Sequence, residues 1–139
     1  CRSHSLPTRS CKLLVVLGHD WLTAKLLPIK AITEMLGQTG RHINMLTIDC
    51  EGCEYSAFKT LWPQIEAGAV TVGQIQIELH GTDFTQIAEF FEGADTAGYM
   101  VFHKERNHWG CNGYSCVEFS LIQKVEAEAI FRFTHCNVL

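Results

Sequence analysis

Ile43 to Ile48, INMLTI, constrains the fold more than any other stretch, because apart from Asn44 and Thr47 it is apolar on both alternating faces. A strand that needs cover on both sides suits a parallel sheet with helices packed on it. The residues that follow agree. Glu54 to about Ala67 carries Tyr55, Phe58, Trp62 and Ile65 at helical spacing, and Pro63 is expected to kink or shorten this helix. Thr71 to His80 then reads as a second strand, with Ile75, Ile77 and Leu79 on one face and Gln74, Gln76 and Glu78 on the other. Strand, helix and strand of these lengths predict two adjacent parallel strands joined by a right-handed crossover.

The flanking segments extend this pattern. Lys12 to Leu17 reads as a short strand. Pro28 stands where a first helical position tolerates it, Ile29, Ile32, Met35 and Leu36 follow at helical spacing, and Gly37 can close the helix. Asp83, with Gln86 three residues on, can cap a helix whose buried stripe is Phe84, Ile87, Phe90, Phe91 and Ala94, ended by Gly98. Tyr99 to Lys104 and Cys116 to Gln123 are strands separated by the turn-rich RNHWGCNGYS, which predicts an antiparallel hairpin. The class is α/β, and 139 residues without an internal repeat or linker are expected to form one domain, residues 1–139.

Composition excludes some functions. Net charge is -4 and the basic residues are scattered, so the electrostatic footprint of a nucleic-acid binder is missing. The longest aliphatic run, Leu13 to Leu17, is far short of the roughly 20 residues that cross a bilayer, so no membrane segment is expected. Seven cysteines are too few for a disulfide scaffold, and an odd count leaves at least one thiol outside any intramolecular pairing. The chain opens on Cys1 and not on Met, as a processed product or a piece of something longer would.

Ligands of open α/β sheets bind outside the carboxyl ends of the strands. There LTIDCEGCEY places Asp49, Glu51 and Glu54, while Glu78 and His80 close the next strand, so neighbouring strands would converge five polar groups on one rim. Solvated strand ends and an acidic first helical turn are the plainer account of the same residues. Cys50 and Cys53 with Cys111 and Cys116 could close a four-thiolate zinc site, and Asp49, Glu51 and His80 could hold magnesium, but no spacing demands either metal and none is expected. His103, Glu105 and Asn107 end another strand, as a solvated turn or as a substrate contact.

The segment LTIDCEGCEYSAF resembles the strand-four motif, of the general form L-K-I-D-x-E-G-x-E, of FkbM-type and related methyltransferase-like proteins, which are similar to class I S-adenosylmethionine-dependent methyltransferases. LPIKAITEMLGQTGRHIN resembles the helix and turn before that motif, VGQIQIELH the fifth strand and CVEFSLI the last, so the similarity covers about Leu27 to Ile122. It implies a Rossmann-like class I methyltransferase sheet in which parallel strands lead into an antiparallel C-terminal hairpin. The family's Gly-rich donor loop has no counterpart, since the sequence contains no G-x-G. Only 42 residues precede Ile43, so the chain is expected to correspond to the second half of such a domain.

The resemblance implies S-adenosylmethionine as methyl donor and a small-molecule or glycan hydroxyl as acceptor. It would put Asp49 at the donor's methionine end or at the acceptor, Glu51 at the acceptor, and Gly52 where the backbone approaches the donor closely. His80 is the candidate general base. Asp49, Glu51 and His80 are thus the catalytic candidates, Asp49 and Gly52 the donor contacts, and Glu54, Glu78 and His103 the acceptor contacts. The alternative is a non-catalytic remnant or binding module that lacks the donor pocket. Without the first half of the sheet, the strand bearing Leu46 and Ile48 would expose an open edge and promote self-association.

Overall fold

A five-stranded mixed sheet organises the chain. The computed structural model describes residues 12–14, 28–109 and 111–136. Strands β1 (Lys12–Leu14), β2 (His42–Ile48), β3 (Thr71–His80), β4 (Tyr99–Arg106) and β5 (Cys116–Gln123) alternate with helices α1 (Ile29–Met35), α2 (Glu54–Glu66) and α3 (Phe84–Thr96), and α4 (Lys124–Cys136) follows. The spatial order is β1-β2-β3-β5-β4, with β1, β2 and β3 mutually parallel and β5 antiparallel to both of its neighbours. The parallel pair bridged by α2 and the closing hairpin are those expected from the sequence.

Pairing of β1 corrects the expectation of an open edge. Residues 12–14 pair with Met45, Leu46 and Thr47, so the middle of β2 is covered by main chain from the same molecule. The remainder of the strand expected over Lys12–Leu17 lies outside the described residues.

Register across the sheet builds the core. Leu46 lies beside Ile75 and Ile75 beside Leu121, and all three are fully buried; Ile48, Ile77 and Phe119 form the next row. Burying each such side chain stabilises the fold by roughly 1.5–3 kcal/mol. Helices α2 and α3 cover this face with rings: the Phe58 centroid is 4.6 Å from Trp62 and 5.0 Å from Phe90, and Phe91 meets Phe119 of the sheet at 4.9 Å. Tyr99 closes the cluster, with its ring 5.5 Å from Trp62 and its hydroxyl donating to the Val72 carbonyl at 2.5 Å.

Local chemistry explains the helix ends and three departures. Asp83 caps α3 by accepting from the Thr85 and Gln86 amides, as expected. Phe84, read as part of the buried stripe, is instead 83% exposed, within an exposed run from Gly81 to Gln86. Pro28 is the N-cap of α1 and not its first helical residue. Pro63 does not end α2 at once; it sits one turn from the C-terminus, its carbonyl still accepts from Ala67, and the helix runs to Glu66. Helix α4 was not anticipated. Among the described residues, no helix is long and apolar enough to cross a membrane.

Candidate functional site

The carboxyl ends of β2 and β3 form the rim that the sequence singled out. Asp49 leaves β2 with its side chain 58% exposed. Backbone from Cys50 to Cys53 then reverses in a tight turn closed by a Cys50–Cys53 disulfide. Within it Glu51 has φ 56°, the one non-glycine among the described residues with positive φ, and Gly52 has φ 108°. A glycine is required at the second position, since φ 108° is strained for any side chain even though an added Cβ would meet nothing within 4 Å.

Glu54 ties this turn to the neighbouring strand. Its side chain is fully buried, and its two oxygens accept from the Cys50 amide at 3.0 Å and the Gly52 amide at 2.9 Å. The same Oε1 that takes the Cys50 amide lies 2.9 Å from Nδ1 of His80. A carboxylate accepts, so Nδ1 carries the proton and Nε2 is left facing outward. Nε2 lies 3.4 Å from Glu51 and 3.9 Å from both Asp49 and Glu78. Four carboxylates thus surround one imidazole whose side chain is 13% exposed.

Burial, the largest single influence on His80, pushes its pKa down. The Glu54 hydrogen bond and the charges of Glu54, Glu51 and Glu78 together outweigh it, and the net direction is upward. A proton on Nε2 is therefore favoured by the rim, and neutral His80 is a stronger base than a free imidazole.

The hairpin supplies the other wall. Cys116 lies opposite His80 in the antiparallel register, and Gly81 donates to the Ser115 carbonyl at 2.7 Å. A second disulfide, Cys111–Cys116, closes the hairpin loop. Asn107 bonds into this wall twice, its amide donating to the Cys116 carbonyl at 3.3 Å and its Nδ2 to Glu78 at 2.7 Å. The two bridges overturn the zinc alternative, because all four of its sulfurs are consumed in disulfides within each C-x2-C and C-x4-C pair.

A cleft of about 360 Å³ runs from the rim along the polar face of the sheet, lined by Asp49, Glu78, His103, Glu118, Thr47 and Ser120 among others. Asp49 and Glu78 belong both to this cleft and to the surroundings of His80. His103 lies within it, 61% exposed and 3.8 Å from Glu105. Glu54 has no surface to offer a ligand. Single atoms of Asp49, Glu51 and His80 lie within 4.8 Å of one another, a spacing a divalent cation could use; Glu78, His80 and Cys116 share that spacing, but the Cys116 sulfur is already bonded.

Sequence reading brought Asp49, Glu51, Glu54, Glu78 and His80 to one rim, and the structure gathers them there. It missed the disulfides and the part played by Asn107. The two close Cys pairs were visible as spacings, whereas the Asn107–Glu78 contact depends on how the hairpin folds back and had no sequence signal.

A family model described as a methyltransferase domain matches residues 16–123. No curated protein and no solved structure matches the chain.

Proposed function

Since the chain belongs to the methyltransferase-domain family matched over residues 16–123, we propose that its rim is the reacting end of a class I, Rossmann-like active site. In this reading it transfers a methyl group from S-adenosylmethionine to a hydroxyl of a small molecule or glycan. The observation that carries the reading is the Glu54–His80 pair, with Nε2 turned toward exposed carboxylates at the mouth of a polar cleft.

The donor carries two cationic groups at its reacting end, a sulfonium and an ammonium, beside one carboxylate, and when bound it supplies an electrophilic methyl group. Its charge suits a rim on which Asp49, Glu51, Glu54 and Glu78 surround one imidazole. Gly52, with open space at its Cα, allows backbone to approach such a ligand.

What these residues do follows from their positions. Glu54 orients His80 and fixes the tautomer, as the carboxylate of a catalytic triad orients its imidazole, so an acceptor-contact role for Glu54 gives way to a positioning one. His80 Nε2 takes the proton that the acceptor hydroxyl loses as its oxygen attacks. Asp49 and Glu51 orient the donor's ammonium or the hydroxyl, and Glu78 and His103 line the path of the acceptor along the cleft.

Calorimetric titration of S-adenosylmethionine into the full-length protein, with Asp49→Ala beside the parent, tests the reading. Binding that weakens at least tenfold in Asp49→Ala is expected. Absence of binding by the parent, or equal binding by both, would remove the rim from donor recognition.

A further inference from the structure

Both disulfides among the described residues stand on the rim, one on each side of His80. Cys50–Cys53 encloses Glu51 and Gly52, and Glu51 is the carboxylate nearest to Nε2, at 3.4 Å. Cys111–Cys116 fastens the strand end opposite His80, and the Cys116 carbonyl holds the Asn107 amide while Asn107 in turn holds Glu78. Of the four carboxylates that face the imidazole, Glu51 therefore stands inside a segment that a disulfide closes, and Glu78 of β3 is held by Asn107, which is itself bonded to the Cys116 end of the other bridge. Glu54 stands outside both bridges, fully buried in the first turn of α2, although the two amides it accepts from, those of Cys50 and Gly52, belong to the turn that the first bridge closes.

We propose that this pair of disulfides is a redox control on the site, which keeps Glu51 and Glu78 on His80 when closed and releases them when opened. The inference deepens the methyl-transfer reading, on which it rests for its consequence in activity but not for its test.

Several features make the control local. The bridges span only 3 and 5 residues of sequence, and stabilisation by a disulfide grows with the loop it closes, so little global stability depends on them. Glu51, in the left-handed region at φ 56°, relaxes toward ordinary backbone once the turn is free, because that conformation is strained for a residue with a side chain. Access also favours exchange at one sulfur of each bridge: Cys53 and Cys111 are half-buried, whereas Cys50 and Cys116 are 8% and 4% exposed.

The exchange balances with a dithiol as the reductant. Its thiolate attacks the sulfur of Cys53 or Cys111, the S–S bond breaks, and Cys50 or Cys116 leaves as a thiolate that is protonated by water. The second thiol of the reductant then attacks the mixed disulfide. Each bridge so yields two protein thiols and one oxidised dithiol, with two electrons passed to the protein.

Titration of the His80 imidazole by nuclear magnetic resonance, its signals assigned with His80→Gln, tests the proposal on the whole chain with and without dithiothreitol. Bridge state is read by mass spectrometry after alkylation. With both bridges open and circular dichroism unchanged, the His80 midpoint is expected to fall, and reoxidation to restore it. Cys50→Ser/Cys53→Ser should reproduce part of the fall without any reductant. An unchanged midpoint with both bridges open would overturn the proposal. Loss of the far-ultraviolet signal on reduction would overturn it too, since the bridges would then hold the fold and not the site. None of these readouts needs a methyl donor, so failure of the methyl-transfer reading would leave the redox result standing.

Discussion

Oε1 of Glu54, the first residue of α2, lies 2.9 Å from Nδ1 of His80, the last residue of β3, and this contact joins the two strand ends of the site. Because the net shift of His80 is upward, folding favours its protonated form. The stability this contributes is present in full below the unfolded-state pKa of about 6.5 and is lost as pH rises through the higher folded value. Urea unfolding between about pH 6 and pH 8.5 should thus show stability falling with pH, and His80→Gln should flatten that slope. Equal slopes in the two proteins would assign the pH dependence to other groups.

Glu54→Ala should be the most damaging single change at the rim. It leaves the buried Cys50 amide, the part-buried His80 Nδ1 proton and the Gly52 amide without their acceptor. Removing one partner of a buried pair costs on the order of 3–5 kcal/mol. Glu54→Gln keeps one acceptor oxygen and should lose less. Midpoints of urea unfolding for the two variants decide the order, and similar losses would mean that the carboxylate charge matters more than the hydrogen bonds.

How much of this was legible in the sequence differs between fold and site. Alternation and helical spacing carried β2, α2, β3 and the hairpin, because burial on one face leaves a periodic trace in Leu46, Ile48, Ile75 and Ile77. Strand-end location carried the rim to Asp49, Glu51 and His80 for the same reason. Direction was the hidden part: that Glu54 turns inward and that Asn107 reaches Glu78 depends on contacts 26 and 29 residues apart, which no local pattern records. Helix α4 was missed because its apolar residues Val125, Ile130 and Phe131 are exposed and spread around the helix, so they mark no single core-facing stripe.

Gly93→Ala should test the aromatic layer that supports the rim from below. A Cβ there would fall onto Trp62 Cδ1 and come within 2.8 Å of its Nε1. Retreat of the indole is restricted, since Phe58, Phe90 and Tyr99 pack around it at 4.6–5.5 Å. Overpacking of this kind costs roughly 1–3 kcal/mol, more than the gain in helix propensity from glycine to alanine returns. Thermal unfolding should show the loss, and a stability equal to the parent's would mean that α2 and α3 can separate without penalty.

Glu51→Gly should move stability and chemistry in opposite directions. At φ 56° a glycine is free of the cost that glutamate carries, so the substitution is expected to raise stability by up to about 1 kcal/mol. Little opposes this gain, because the Glu51 side chain is 66% exposed and its attraction to His80 across 3.4 Å is partly screened by water. Yet the change removes the carboxylate nearest to Nε2, so the His80 midpoint should fall and its capacity to take a proton should weaken. Strained residues persist where function holds them, and an unfolding midpoint that rises while methyl transfer declines would identify Glu51 as such a residue. A variant less stable than the parent would show instead that the ion pair outweighs the strain, and that Glu51 is retained for the fold.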